Sequence, residues 1–421
     1  MPAQRNLPTA ESTPITNLIV VYTAARAPRI LQRQCRAPQT ITVRISTSLF
    51  ILLVCFLSVR SVKAQSEPQQ KPQMAEDVFK NVQLLRGISV NEFLETMGFF
   101  SASLNMNCVD CHAEEAGGDW ARYADDTEKK QTTRKMILMM RGINQSYFGG
   151  KRIVTCYSCH RNGNSPISTP NLAEVYGTPP LPDPVEIQQG SNTPSADQLL
   201  DKYLQALGGP QRLSGFTSFV GKGTYQGYGE GEKNALDIFA KAPDQIATVV
   251  HRITGDSVTS FDGRSGWIAS PAANSPVTMI QMTGGDLDAA KVDANLFFPA
   301  QIKQALTKWR VGFPTTIDDR DVQVVEGTTA GGVPVKLYFD PDSALLVRQV
   351  RYIDSPMGFN PTQIDYADYR DVSGVKVPFR WTVTWLDGRS TYELTELRLN
   401  VPIEAAKFAK PVQPQLKPAS R

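Results

Sequence analysis

Two pentapeptides of one pattern constrain this chain more than any other feature: CVDCH at Cys108–His112 and CYSCH at Cys156–His160. Cys-x-x-Cys-His presents two thiols that can form thioether bonds to haem vinyl groups. The histidine that follows at once can bind the iron, so the pattern is the c-type haem attachment signature. Four of the six cysteines and two of the three histidines lie inside these pentapeptides. Two disulfides or a four-cysteine zinc site would use the thiols, but neither explains a histidine directly after both pairs. The expected cofactors are two covalently bound haem c groups, tethered by Cys108, Cys111, Cys156 and Cys159, with His112 and His160 as proximal iron ligands.

Haem is attached to such motifs outside the cytoplasm, so an export signal is expected. The apolar run Ser48–Val59 follows Arg44 and precedes Val62-Lys63-Ala64, which reads as an h-region and a small-residue cleavage site before Gln65. The run is short for a membrane span, so a removed signal over 1–64 is the preferred reading and a retained membrane anchor the other. Met1–Val43 is Pro-, Thr- and Arg-rich and far longer than a normal n-region. The expected location is the periplasm, membrane association included. The first 64 residues carry eight Lys/Arg and one Glu, so 44 basic and 41 acidic residues become 36 and 40 without them. The slight positive balance of the whole chain therefore gives no ground for nucleic-acid binding. Past the leader only the four motif cysteines remain, which excludes a disulfide framework.

Three regions follow. Residues 75–164 hold both motifs and repeat loosely. Glu76–Leu104 reads as two helical pieces broken near Gly87, with Ser89 as N-cap of the second and Glu92 at the capping-box position. CVDCH follows. Thr127–Tyr147 reads as a long helix stopped by Gly149-Gly150, and CYSCH follows. The unit is helix, turn, haem motif, twice. Residues 165–195 contain seven prolines and read as an extended linker or strap. Residues 196–411 read as a separate α+β domain. Ala196–Gly208 is an amphipathic helix; short strand-like runs with turn signals follow, and Asp286–Trp309 interrupts them with helical stretches. Trp381, Val383 and Trp385 alternate with polar residues, the period of a half-buried strand. Many antiparallel strands plus a few helices suggest a curved sheet or open barrel.

Each iron held by one histidine needs a sixth ligand or an open site, and methionine suits electron transfer by raising the potential. Outside the motifs only His251 is left, in the strand-like run TVVHRI, where it reads as a surface strand residue; bis-histidine ligation of both haems is excluded. Methionines sit in both helices that precede the motifs. Met97 is the expected distal ligand of the first haem, against the alternative of a helix-core methionine. Met139 is favoured for the second, with Met140 and Met136 behind it. Trp120 and Tyr157 are candidates to pack on haem edges, and Arg152 and Arg161 to pair with propionates.

The runs KNVQLL…EFLETM…CVDCH and QTTRKMILMMRGIN…VTCYSCHRNG resemble the cytochrome subunit of photosynthetic reaction centres over about Val78–Pro166. That family uses repeated helix–turn–CxxCH units with a helical methionine as sixth ligand of most of its haems. The resemblance implies that role for Met97 and, with closer alternatives, for Met139. The family subunit carries four haems and this chain has two motifs, so it corresponds to one half of that architecture. FDGRSGW, LYFDPDSALLVRQV, DYADYRDVSGVKVPFRWTV and NVPIEAAKF resemble periplasmic lipoprotein-carrier (LolA-like) half-barrel domains over about Ala196–Pro411. This second resemblance implies a concave apolar face for an acyl chain or similar ligand, a filled scaffold core being the alternative.

The expected fold is multidomain: an all-α dihaem cytochrome c domain of two helix–turn–CxxCH repeats, then an α+β domain with a curved antiparallel sheet or half-barrel. The expected function is electron transfer through His/Met-ligated haems to redox protein partners, a membrane electron-transfer complex among them. No catalytic constellation is visible, so the chain reads as an electron carrier and not an enzyme. One alternative is a dihaem peroxidase-like enzyme using Glu114 or Glu115 as acid–base group. The other is a carrier whose C-terminal domain binds a lipid or quinone.

Overall fold

A computed structural model describes residues 71–112, 119–175 and 194–413. The leader, Glu114, Glu115 and residues 176–193 of the Pro-rich stretch lie outside the described residues. Residues Gln70–Arg421 pack as one compact unit.

The elements of the haem-motif region are helical: α1 (Ala75–Val78), α2 (Val90–Leu104), α3 (Cys108–Cys111), a short 3-10 turn at Trp120–Ala124, α4 (Glu128–Phe148), α5 (Cys156–His160) and α6 (Leu172–Val175). Local chemistry sets the ends. Ser89 Oγ accepts the Glu92 amide at 3.2 Å and starts α2. Thr127 does the same for α4 through the Lys130 amide, and Gly149 ends α4 at φ 59°, a left-handed cap that glycine adopts without strain. The helix expected over Thr127–Tyr147 is therefore present, shifted by one residue at each end. Asn105 ends α2 in the same left-handed conformation, φ 54°. That reversal returns the chain to CVDCH three residues on.

The C-terminal region opens with α7 (Ala196–Ala206) and α8 (Pro210–Ser214). Strands β1 (Ser218–Gly227), β2 (Asn234–Lys241), β3 (Gln245–Arg252), β4 (Gly255–Phe261), β5 (Gly266–Ala269) and β6 (Met279–Gln281) follow. After α9 (Gly284–Phe297) and α10 (Ile302–Ala305) come β7 (Thr307–Val311), β8 (Thr315–Ile317), β9 (Arg320–Thr328), β10 (Pro334–Phe339), β11 (Leu346–Asp354), β12 (Phe359–Val372), β13 (Val375–Trp385) and β14 (Gly388–Leu399). They build an open antiparallel sheet in the order β6-β5-β4-β3-β2-β1-β14-β13-β12-β11-β10-β9-β7, with β8 on β9. Every neighbour is antiparallel, so the odd strands β5, β11 and β13 end at the same edge. That edge faces the haem motifs.

Helices fill one face of the sheet. α7 buries Leu199, Leu200, Tyr203 and Leu204 against Val335, Leu337 and Phe339. Phe216, Phe219, Phe298 and Trp381 form a neighbouring cluster. The cavity left between Tyr203, Phe219, Phe297 and Tyr366 is ≈ 50 Å³, room for a water or two and far below the volume of an acyl chain. Two details differ from the sequence reading. Trp309 lies in β7 and not in a helical stretch, because the helical run stops at Ala305. Trp381 is buried but Trp385 is 40% exposed, since β13 runs past the core at its end.

Candidate haem sites

Both pentapeptides fold as short helices held by reciprocal caps. Asn107 Oδ1 accepts the Val109 and Asp110 amides, while Asp110 Oδ2 accepts the Asn107 amide at 2.8 Å. Thr155 and Ser158 make the same exchange at the second motif. One helical turn puts cysteines three apart on one face, so both thiols of a pair point the same way. The four cysteines are free. No group of three or more His, Cys, Asp or Glu side chains converges as a metal site among the described residues.

The histidine that follows each pair is oriented by its own loop. His112 Nδ1 lies 2.9 Å from the Tyr123 carbonyl, and the Tyr123 ring stacks on it at 4.5 Å. His160 Nδ1 lies 3.1 Å from the Gly163 carbonyl. A carbonyl only accepts, so Nδ1 carries the proton and Nε2 keeps its lone pair, the tautomer a metal-binding imidazole needs. Burial lowers the His112 pKa and favours that neutral ring.

The first motif borders a cavity of ≈ 530 Å³, within the range of about 300–1,000 Å³ usual for cofactor sites. Met97, Cys108, Cys111 and His112 share its wall, with Phe93, Leu94, Phe100 and Leu104 supplying apolar surface from α2. Trp120 is also in the wall. Lys80, Lys130 and Arg134 provide positive charge. Lys130 Nζ reaches the Tyr123 and Asp125 carbonyls at 2.8 and 2.7 Å, and burial lowers its pKa. A flat apolar macrocycle with two anionic arms fits this donor set: thiols and imidazole on one helix, thioether on another, cations at the rim.

The second motif does not line this cavity. α5 packs on α2, and the Asn162 amide donates to the Ser103 carbonyl at 3.1 Å. Cys156 packs against the cluster of Phe99, Ile137, Met140 and Met357, and burial raises its thiol to about 11. Asn144 fixes the turn between α4 and CYSCH. It is 5% exposed, its Oδ1 accepts the Ile153 and Val154 amides, and its Nδ2 donates to the Val154 carbonyl at 2.7 Å. Nothing in the sequence pattern marked this residue. Among the candidate distal ligands, Met139 is 50% and Met136 36% exposed, whereas Met140 is 5% exposed in the core. Tyr157 is 52% exposed. Arg152 pairs with Asp354 and lies over the Phe359 ring at 5.6 Å. His251 sits on β3 between Asp237 and Asp256, a surface strand residue.

Residues 57–197 match the family described as "Photosynthetic reaction centre cytochrome C subunit". The photosynthetic reaction center cytochrome c subunit of Thermochromatium tepidum is 35% identical over 96 residues, 22% of this chain and 22% of that protein. The subunit of Roseobacter denitrificans is 31% identical over 107 residues, 24% of this chain and 28% of that protein. The chain thus spans about a quarter of the length of these relatives. Among solved structures, a LolA superfamily protein from Nitrosomonas europaea is similar to 52% of this chain and 99% of its own, at 16% identity and TM-score 0.35. The cytochrome-subunit resemblance read from the sequence is thus present in the comparisons. No helix among the described residues is long and apolar enough to cross a membrane.

Proposed function

We propose that this chain is a periplasmic dihaem c-type cytochrome, an electron carrier that exchanges electrons with redox proteins, a membrane complex among them. One observation carries the reading: Met97, Cys108, Cys111 and His112, two thiols, an imidazole and a thioether drawn from two helices, line a single cavity. The match to the cytochrome subunit family supports it. Bound haem would supply reversible one-electron exchange between ferric and ferrous iron.

The residues divide the work. Cys108 and Cys111 would tether the first group, and Cys156 and Cys159 the second, so that neither is lost outside the cell. His112 and His160 would hold the irons from one side through Nε2. Met97 would close the first iron from the other side, and Met139 the second. Met139 is preferred because it is exposed on α4, while Met140 is turned into the core. Two thioether-closed irons leave no open position for peroxide, which favours carriage over catalysis.

Visible and near-infrared spectra of the purified holoprotein test the assignment. Met97→Ala and Met139→Ala are each expected to convert one haem to a high-spin or differently ligated form. Spectra unchanged in both variants would overturn the distal assignments.

A further inference from the structure

The wall of the first cavity is not built by the haem-motif region alone. Its residues run from Val78 to Ile137, with two exceptions, Pro276 and Asp387, and both come from the sheet. Pro276 lies in the β5–β6 loop, whose Ala272 carbonyl accepts the Trp120 indole N–H at 2.9 Å. Asp387 sits at the turn of the β13–β14 hairpin. The loop after β11 adds a third grip: Met357 is 0% exposed and packs in the cluster of Phe99, Ile137 and Met140. A side chain at Gly358 would collide with the Phe99 ring. All three loops follow odd strands at the same edge of the sheet.

Asp387 has a defined place. Gly98, the residue after Met97, makes room for it, because a methyl there would come within 3.2 Å of the carboxyl. Trp385 donates a hydrogen bond to it. Among the described residues it is the one carboxylate in a wall whose other charges are Lys80, Lys130 and Arg134. Burial raises the Asp387 carboxyl above its ordinary value, and once ionised its negative charge in this partly desolvated wall favours the more positive of two oxidation states.

We propose that the β13–β14 hairpin is part of the first haem site and that Asp387 lowers the reduction potential of that haem. The inference rests on the dihaem reading. It makes the sheet a component of the redox centre. Asp387 acts on ferric–ferrous exchange, a single electron with no bond made or broken, by stabilising the oxidised state.

The test is a spectroelectrochemical titration of the full-length holoprotein at mildly alkaline pH. Asp387→Asn is expected to raise one midpoint potential and leave the other unchanged, with the thioether–iron band retained. Asp387→Glu, which keeps the charge, is expected to restore the wild-type value. Should Asp387→Asn fail to accumulate, Gly98→Ala presses on the carboxyl from the opposite side and is expected to move the same single potential. Two haems with unchanged potentials, or an equal shift of both, would overturn the inference and leave the cytochrome reading standing. Absence of bound porphyrin in the wild type is a separate failure, of the reading beneath it.

Discussion

The two haem motifs have the same local structure and different surroundings. Each is a capped helical turn whose histidine Nδ1 meets a backbone carbonyl. The first is enclosed: α2, α4 and two loops of the sheet leave a cavity of ≈ 530 Å³ around it. The second lies on a surface where Met139, Ile153 and Tyr157 are 50%, 58% and 52% exposed. The pentapeptide thus specifies attachment and tautomer, while the fold around it decides how far the site is shaped in advance.

The largest expected effect contrasts the two attachments. Cys108→Ala with Cys111→Ala should lose one porphyrin and hollow the first cavity, costing about 3–5 kcal/mol or roughly 10 °C in Tm. Cys156→Ala with Cys159→Ala should also lose one porphyrin but cost less, since neither cysteine lines that cavity. Equal losses in calorimetry would break the comparison. Next comes the methionine pair on α4. Met140→Ala should cost about 2–5 kcal/mol as a core truncation and leave both haem spectra intact. A ligation change there would move the second distal ligand to Met140.

A smaller effect is expected at Asn144. Asn144→Ala removes a buried amide that satisfies three backbone groups, and should cost about 1–3 kcal/mol in chemical denaturation while disturbing the second haem only. A pH-dependent effect lies where α2 meets the sheet. Burial, with Asp286 beside it, raises the Glu95 carboxyl from 4.5 to about 9. The folded state therefore holds a proton that the unfolded chain gives up. This contribution to stability is full below about 4.5 and is lost as pH rises through about 9. Glu95→Gln should flatten the fall in Tm between neutral and alkaline pH. A wild-type Tm with no such fall would count against a protonated Glu95.

Much of the haem-motif region was legible because its signals are local. Ser89, Thr127 and Gly149 mark helix ends by chemistry that acts within one turn, and the pentapeptides carry their own meaning. The sheet was legible only as a class, because short alternating runs state that strands exist and not which strand pairs with which. Period alone could not rank Met136, Met139 and Met140, since the buried face of α4 is fixed by Met357 from more than two hundred residues away. Asp387 and Pro276 left no trace in the pattern for the same reason, since each meets the haem-motif region only through the fold, and Asn144 left none because a buried amide capping a turn has no periodic signal. Arg152, a propionate candidate, is paired by the fold with Asp354.

The central claim is that porphyrin is covalently attached at both motifs, and intact-mass spectrometry of the protein purified from an exporting, haem-attaching host tests it directly. The account predicts a mass increased by two haem groups, with tryptic peptides containing Cys108–Cys111 and Cys156–Cys159 each carrying one. A chain with no added porphyrin mass, or with only one, would contradict it.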